Sequence, residues 1–190
     1  MKVVIIDYGA GNTQSVKFAL QRLGAGPVLT NDKEEIQSAD KVVFPGVGHA
    51  KPAMAALREK ELHMLIPQLK QPVLGICLGM QLMCTFSEEG NTECLGILDE
   101  KVKLFPGDLK VPHIGWNNVL GSWSLSKSNE NWYYFVHSYY VPKNKNTSLS
   151  CNYILEFSAA IQKNNFYGVQ FHPEKSGQAG ERLIHQFLNL

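Results

Sequence analysis

The chain has 190 residues, of which 44% are hydrophobic and 18% charged, and its formal net charge is +1 at pH 7. This length and composition suffice for one domain with a sizeable core, so residues 1–190 are expected to fold as a single domain. The balanced charge favours neither nucleic acid nor a membrane surface as a partner.

The N-terminal half alternates short apolar runs with helical patterns. Buried strands are predicted at residues 3–6, 28–30, 42–44 and 73–76, and a helix at about residues 14–23. Continuous apolar strands joined by crossover helices are typical of a parallel sheet covered on both faces. The first run is too short to span a membrane and lacks the features of a signal peptide, so a cytoplasmic protein is expected.

The C-terminal half, from about Val102, is richer in strands. Strands are predicted at residues 131–136, 149–155, 159–162 and 166–171, polar loops at 122–131 and 144–147, and a closing helix at about 179–188. The predicted fold class is α/β, a three-layer structure with a mostly parallel central sheet flanked by helices and an additional strand-rich C-terminal half. Ligands in such folds bind at the carboxyl ends of the strands.

Residues 72–82 form the most informative segment, because the apolar strand at 73–76 ends in Gly-Ile-Cys-Leu-Gly and runs directly into a helical pattern. Gly75 and Gly79 flank Cys77 as glycines flank serine in a nucleophile elbow. A lone cysteine at a strand end is usually a small buried hydrophobe. The two glycines favour the elbow, because their symmetry about Cys77 indicates a backbone conformation that other residues cannot adopt.

A base for this cysteine is expected near the other end of the chain. His172 is followed by Pro173 and Glu174, and proline pushes the residue before it towards an extended conformation. Extended residues two apart point to the same side, so Glu174 is predicted to orient the His172 ring. An isolated histidine is more often structural, but Cys77, His172 and Glu174 together make a complete triad.

The other three cysteines have no such setting. Cys84 falls two helical turns after Cys77 and is predicted to belong to the core, and Cys94 and Cys151 are expected to be unreactive. The chain has no paired Cys/His spacing typical of zinc sites, so neither a metal nor another cofactor is predicted. The thiols are expected to be reduced.

A glycine-bearing loop follows the strand at residues 42–44. Its sequence, Pro-Gly-Val-Gly at 45–48, matches neither a phosphate loop nor a dinucleotide fingerprint. We predict an oxyanion hole instead, with backbone N–H groups from Gly46 and Val47 joined by that of Leu78. An ordinary tight turn is the alternative.

Three of these segments together carry a family resemblance. Gly-Ile-Cys-Leu-Gly-Met-Gln at 75–81, Pro-Gly-Val-Gly at 45–48 and Phe-His-Pro-Glu at 171–174 resemble the class I glutamine amidotransferases. Within that class the resemblance narrows to the HisH family, the glutaminase subunits of imidazole glycerol phosphate synthase. It extends over essentially the whole chain, through motifs at residues 7–12, 112–117, 134–139 and 167–174.

The resemblance implies hydrolysis of L-glutamine to glutamate and ammonia through a thioester on Cys77. It implies that Gln81 and Glu89 hold the amino-acid end of glutamine, and that His137, Ser138 and Tyr139 meet its carboxylate largely through backbone groups. Each residue also has a structural alternative. Gln81 could serve packing, and Glu89 could be a solvated loop charge.

The resemblance also implies a partner, because nothing in the chain is typical of a site for a phosphorylated acceptor. In the family this partner is a HisF-type (β/α)8 cyclase subunit, which receives the ammonia in histidine biosynthesis and raises glutaminase activity. The interface is predicted around the elbow and includes Asn12, His113, Trp116 and Asn117. Trp116 fits the core equally well.

Other functions remain open at this point. The chain could serve as the glutaminase of a different synthase, such as a pyridoxal phosphate or surface-sugar amidation system. It could be a free-standing thiol hydrolase acting on γ-glutamyl peptides. A non-catalytic regulatory subunit is disfavoured, because every triad position is occupied.

Overall fold

The computed structural model describes residues 1–9, 11–107, 109–126 and 131–190. The N-terminal half alternates strands and helices. Its elements are β1 (Val3–Ile6), α1 (Thr13–Arg22), β2 (Val28–Thr30), α2 (Lys33–Gln37), β3 (Lys41–Gly46), α3 (Ala50–Glu59), α4 (Leu62–Leu65), β4 (Val73–Cys77) and α5 (Leu78–Leu82).

The C-terminal half is built mostly of strands and ends in one long helix. Its elements are β5 (Phe86–Ser87), β6 (Thr92–Glu93), β7 (Lys101–Leu104), β8 (His113–Gly121), β9 (Trp132–His137), β10 (Tyr139–Tyr140), β11 (Thr147–Tyr153), β12 (Leu155–Lys163), β13 (Phe166–Val169) and α6 (Gly177–Leu188). A 3₁₀ turn, Pro173–Lys175, separates β13 from α6.

A nine-stranded sheet in the order β2-β1-β3-β4-β13-β12-β11-β8-β9 forms the centre of the molecule, and β10-β7-β5-β6 form a second, smaller sheet. The pairs from β2 to β13 are parallel, and those from β13 to β9 are antiparallel. The parallel part corresponds to the predicted crossover pattern. Because β3, β4 and β13 are adjacent and parallel, their carboxyl ends meet at one edge.

Hydrophobic residues cover both faces of the large sheet. In β1 the side chains alternate, so that Val3 and Ile5 join one core cluster while Val4 and Ile6 join the other. Helices α1 and α6 contribute to the first cluster and α3 to the second. The predicted α/β class with helices flanking a large sheet is therefore confirmed, and the sheet is mixed.

Several predicted boundaries change in the structure. The strand predicted at 149–155 is confirmed only as far as Tyr153, where β11 ends, because the chain reverses at Ile154, whose φ is 62°, and pairs Tyr153 with Leu155 in a hairpin. The predicted loop at 122–131 contains a bridge between Trp123 and Ser126, and its residues 127–130 lie outside the described residues. Across the described residues, no helix combines the length and apolar character needed to cross a bilayer.

Candidate active site

The structure places Cys77 at the junction between β4 and α5, in an unusual backbone conformation. Its φ is 54° and its ψ −111°, a combination that non-glycine residues seldom adopt. Such a conformation costs on the order of 1–3 kcal/mol and persists only when the surrounding structure enforces it. Cys77 is 7% exposed and lines a cavity.

The glycines flanking Cys77 provide space. A Cβ on Gly79 would lie 1.9 Å from the Phe44 carbonyl oxygen, and one on Gly75 would lie 2.9 Å from the Met80 nitrogen. Neither glycine has a positive φ. The expectation that the glycines supply the unusual conformation is therefore wrong: Cys77 adopts it, and the glycines let α5 approach β3 and β4 closely.

His172 and Glu174 lie close to Cys77, as the triad pattern in the sequence predicts. His172 Nδ1 lies 2.8 Å from Glu174 Oε1, and the two side chains are 5% and 1% exposed. His172 also interacts with Cys77, and both residues line the same cavity, while the Cys77 thiol lies 3.8 Å from the Val136 carbonyl oxygen. The route to the contact between His172 and Glu174 differs from the predicted one, because Glu174 lies in a 3₁₀ turn rather than in extended chain.

The electrostatics of this triad favour a charged imidazole. Burial opposes protonation of His172, but its interactions with Cys77 and Glu174, which would accept from the imidazolium and carry negative charge, outweigh burial and raise the pKa of His172 to about 10. Because Nδ1 faces Glu174, Nε2 remains for the thiol. An imidazolium beside a cysteine is the setting that activates such a nucleophile.

Sheet register brings the two ends of the triad together. β13 lies next to β4 and pairs Val169 with Ile76, so the chain leaves both strands at the same height. Ser176, which sequence reasoning missed, holds the segment after β13 in place. Its hydroxyl donates to the His172 carbonyl at 2.6 Å and accepts from the Tyr134 N–H at 3.0 Å.

The cavity over Cys77 has a volume of about 320 Å³, the scale of a small amino acid. Nine of the predicted site residues line it, and so do four residues that were not selected from the sequence, among which Lys175 follows Glu174 directly. The lining residues are Val47, Gly48, Cys77, Leu78, Gln81, Glu89, Pro112, Val136, His137, Ser138, Tyr139, His172 and Lys175.

The predicted oxyanion-hole residues divide into two groups. Val47 and Leu78 line the cavity, and the N–H of Leu78 is the first of α5, where helix N–H groups have no carbonyl partner within the helix. Gly46 instead lies buried in β3, and a Cβ there would be 2.6 Å from the Gly79 nitrogen. A side chain at Gly46 would displace the elbow itself.

Gln81 and Glu89, the predicted substrate ligands, both make protein contacts. The Gln81 amide nitrogen donates to the Tyr139 carbonyl and to Gln170 Oε1, each at 2.9 Å. Both of its N–H groups are thus used, and only its oxygen remains for substrate. Glu89 Oε2 accepts from the Ala50 N–H at the start of α3, so Glu89 is more than a solvated charge.

The ring of His137 contacts His113. His137 Nδ1 lies 2.8 Å from the Tyr139 carbonyl oxygen, which can only accept, so this nitrogen carries the proton. The other nitrogen, Nε2, lies 3.0 Å from His113 Nδ1 and accepts from it. Burial lowers the pKa of His137 to about 3 and that of His113 to about 4, so both rings are neutral.

This arrangement corrects part of the predicted interface. His113 is 3% exposed and stacks on Tyr153 at 4.0 Å between ring centroids, so it belongs to the interior. Trp116 is 54% exposed, which excludes the core alternative. Asn117 donates to His113 Nε2 at 3.3 Å and to the Asn152 carbonyl, and Asn12 caps α1 by accepting from the Ser15 N–H.

The remaining cysteines differ from Cys77 in their electrostatics. Burial raises the pKa of Cys84 strongly and the pKa values of Cys94 and Cys151 to about 12 each, so all three are thiols at neutral pH. Cys84 is fully buried, as predicted. Among the described ranges, no three His, Cys, Asp or Glu side chains are grouped so that they could hold a metal ion.

Comparison with known proteins identifies the family. The model of the glutamine amidotransferase class-I family matches residues 4–190. The chain therefore belongs to the class I glutamine amidotransferases. The solved structure of PurLQS from Thermotoga maritima contains the same fold, with a TM-score of 0.76, 18% identity, and coverage of 99% of this chain and 97% of that one.

Within that class, closely similar sequences carry one name. Imidazole glycerol phosphate synthase subunit HisH of Bacteroides fragilis is 54% identical, with 100% of both chains covered. The subunit of the same name from Vibrio parahaemolyticus is 48% identical over 100% of this chain and 98% of its own. The resemblance drawn from the sequence motifs is thereby confirmed.

Proposed function

We propose that this chain, as a single domain over residues 1–190, is a cytoplasmic glutaminase subunit of imidazole glycerol phosphate synthase in histidine biosynthesis. It would hydrolyse L-glutamine to glutamate and ammonia. The observation that carries the proposal is the strained Cys77 beside the buried pair of His172 and Glu174, over a cavity sized for an amino acid. The full-length similarity to HisH subunits supports the choice of synthase.

The proposed chemistry uses the triad in two steps. The Cys77 thiolate attacks the side-chain amide carbon of glutamine, and His172 donates a proton to the departing ammonia. His172 then takes a proton from water, which attacks the thioester, and the carbon–sulfur bond breaks to release glutamate. Glu174 holds the imidazole in the required tautomer and stabilises its charge.

The cavity supports specific contacts with the substrate. Val47 and Leu78 line the cavity, and their backbone N–H groups would stabilise the oxygen that gains charge when the thiolate attacks. The carboxylate of Glu89 and the free oxygen of Gln81 suit the α-ammonium group of glutamine. The carboxylate of glutamine would meet the backbone of residues 137–139, because the ring of His137 is engaged elsewhere.

The partner surface is proposed on the outer face of β8 and β9. Ile114, Trp116 and Trp132 are 57%, 54% and 57% exposed, and they project from the same face of these paired strands. Large exposed apolar patches mark interaction sites, and aromatic side chains are enriched in them. Val136 pairs with Ile114 and also lines the cavity, so a cyclase subunit bound here would border the active site.

Ammonia release from L-glutamine tests the proposal. It is measured for the chain alone, and then with the acceptor nucleotide and a HisF-type cyclase subunit, with Cys77→Ala as the blank. Stimulation by the partner that vanishes in Cys77→Ala supports the proposal. Strong activity without a partner would indicate a free-standing hydrolase, and silence throughout would indicate another synthase or a regulatory subunit; each of these results would overturn it.

A matched pair of variants tests the partner surface. Trp116→Ala removes an exposed aromatic side chain from the proposed interface, whereas Met64→Ala removes a flexible apolar side chain that is 63% exposed on α4. Loss of a central aromatic contact typically weakens a complex by about 2 kcal/mol or about 30-fold in Kd. We expect that loss for Trp116→Ala and none for Met64→Ala, measured by titration calorimetry. Equal affinities would place the interface elsewhere.

A further inference from the structure

The side-chain amide of Gln170 contacts the nucleophile and has no role in the mechanism proposed above. Gln170 follows β13, two residues before His172, and is fully buried. Its Nε2 lies 3.7 Å from Cys77 Sγ, within hydrogen-bond distance for sulfur. A buried amide must satisfy both of its ends, so its position beside the sulfur requires a partner for each.

Hydrogen bonding fixes which end of Gln170 faces the sulfur. The Tyr139 carbonyl oxygen can only accept, so the Gln81 atom 2.9 Å from it must be the amide nitrogen. The other N–H of that nitrogen points at Gln170, which must accept it through its oxygen, Oε1, at 2.9 Å. The N–H groups of Gln170 are therefore left for Cys77.

The interior behind Tyr139 reinforces this orientation. The Tyr139 carbonyl accepts from His137 Nδ1 as well as from Gln81, so both of its lone pairs are used. His137 is held in this tautomer by His113, whose ring is in turn held by Asn117. Each hydrogen bond from Asn117 on β8 to the Tyr139 carbonyl is thus donated in the same direction along the chain of side chains. Reversal of the Gln81 amide would leave an unpaired donor or acceptor.

We propose that Gln170 donates a hydrogen bond to the Cys77 thiolate and is a fourth catalytic residue of the glutaminase, an inference that rests on the function proposed above. The thiolate then has two donors, the His172 ring and the Gln170 amide. Hydrogen bonds to ionised groups are stronger than those to neutral ones. The same contact stabilises the sulfur when water cleaves the thioester and the thiolate leaves.

The rate of alkylation at Cys77 as a function of pH measures this contact directly. Removing one charge-assisted hydrogen bond should move the midpoint of the rate profile upward by about one pH unit. A thiolate that has lost a hydrogen bond is also more nucleophilic, by about threefold for each such unit. The variant should therefore react about three- to fourfold more slowly below the midpoint and about threefold faster on the alkaline plateau.

The experiment uses iodoacetamide on the intact chain, with Cys77→Ala as the blank for the other thiols. Gln170→Met fills the space of the amide without its N–H groups, and Gln170→Leu serves if the methionine variant does not fold. Gln81→Met leaves Gln170 in place but frees its orientation, so a smaller shift in the same direction is expected. Gln162→Met is the matched control, because it removes an amide that accepts from Trp123 away from the site.

Crossing rate profiles for wild type and Gln170→Met, with an unchanged profile for Gln162→Met, would support the proposal. Coincident profiles would overturn it. So would a rate for Gln170→Met that is lower by the same factor at every pH, because a merely structural role alters access to Cys77 at every pH alike. Failure of the glutaminase proposal is seen separately. In that case the wild-type chain with its partner would release no more ammonia than Cys77→Ala, whatever the alkylation profiles are.

Discussion

Two buried histidines line the same cavity, yet their surroundings shift their pKa values in opposite directions. His172 is 4% exposed and has a raised pKa, whereas His137 is 6% exposed and has a pKa of about 3. Burial disfavours the charged form of both rings. Their neighbours therefore decide which of them can act as a base and which is structural.

The neighbours differ in charge. His172 faces the carboxylate of Glu174 and the Cys77 thiol, which stabilise an imidazolium. His137 faces a backbone carbonyl and the neutral ring of His113, and neither compensates for the lost hydration. Cys77 and Glu174 together thus outweigh burial at His172, whereas a carbonyl does not at His137, and this difference divides the site into a reactive end and a scaffold end.

Replacing each histidine by asparagine gives the largest expected contrast. His172→Asn removes the proposed general base, so ammonia release should fall by about 10²–10⁴-fold. His137→Asn removes a hydrogen bond to Tyr139, worth about 1 kcal/mol, so the fall should be about fivefold. Initial rates are measured with saturating glutamine and partner. Comparable losses would mean that His137 also takes part in the chemistry.

Glu174→Gln tests the origin of the raised pKa. The variant keeps the shape of the side chain but removes the charge, so the His172 imidazolium should give up its proton at a lower pH than in wild type. Ammonia release should fall by about 10²-fold, because a misoriented or less basic imidazole is a poor general base. Titration of the ring signals by NMR checks the first effect. If the His172 titration does not move, Cys77 alone raises its pKa.

The scaffold end has its own pH dependence. Since the folded-state pKa of His113 is about 4, below the unfolded value of about 6.5, its contribution to stability is complete above pH 6.5 and is lost as the pH falls towards 4. His113→Phe keeps the stacking but cannot be protonated. Its free energy of unfolding should therefore fall less steeply than that of wild type between pH 6.5 and 4. The difference between the two slopes corresponds to at most one bound proton, about 1.4 kcal/mol per pH unit.

Urea denaturation of wild type and His113→Phe at several pH values gives the two slopes. The absolute stability of the variant is a separate quantity, because His137 Nε2 loses its donor. Parallel slopes would show that His113 is protonated equally in the folded and unfolded chains, and the neutral scaffold would have to be abandoned.

Ser176→Ala gives the smallest expected effect. The Ser176 hydroxyl joins the His172 carbonyl to the N–H of Tyr134 in β9, and its removal leaves a buried donor unpaired at a cost of about 1–3 kcal/mol. Since His137 lies on β9 itself, only the reactive end should loosen. Stability is followed by thermal denaturation and activity by KM and kcat. Unchanged stability would mean that water replaces the hydroxyl.

Local pattern was a good guide where one segment decides the structure. The parallel strands of the first half were predictable because continuous apolar runs fit only strands buried on both faces. The α1 helix, expected at 14–23, spans Thr13–Arg22. The hairpin at Ile154 was missed because its turn contains no glycine, and nothing in the apolar run around it indicates a reversal.

The elbow shows where local reading fails in detail. Gly-Ile-Cys-Leu-Gly pointed to the correct residues, but it assigned the unusual backbone conformation to the glycines rather than to Cys77. The need for Gly79 comes from the Phe44 carbonyl, 35 residues earlier in the chain. His113 was placed at the surface for the same reason, because its stacking on Tyr153 is a contact between distant strands.

The sequence by itself determined the fold class, the family and the identity of Cys77, His172 and Glu174 as the triad candidates, because each depends on residue types at short, fixed spacings. Only the tertiary structure decided the charge of each histidine, the orientation of Gln170 and the exposure of Trp116. These properties depend on which strands lie side by side. A pKa, a hydrogen bond or an exposed surface belongs to a set of neighbours, and the neighbours are chosen by sheet register.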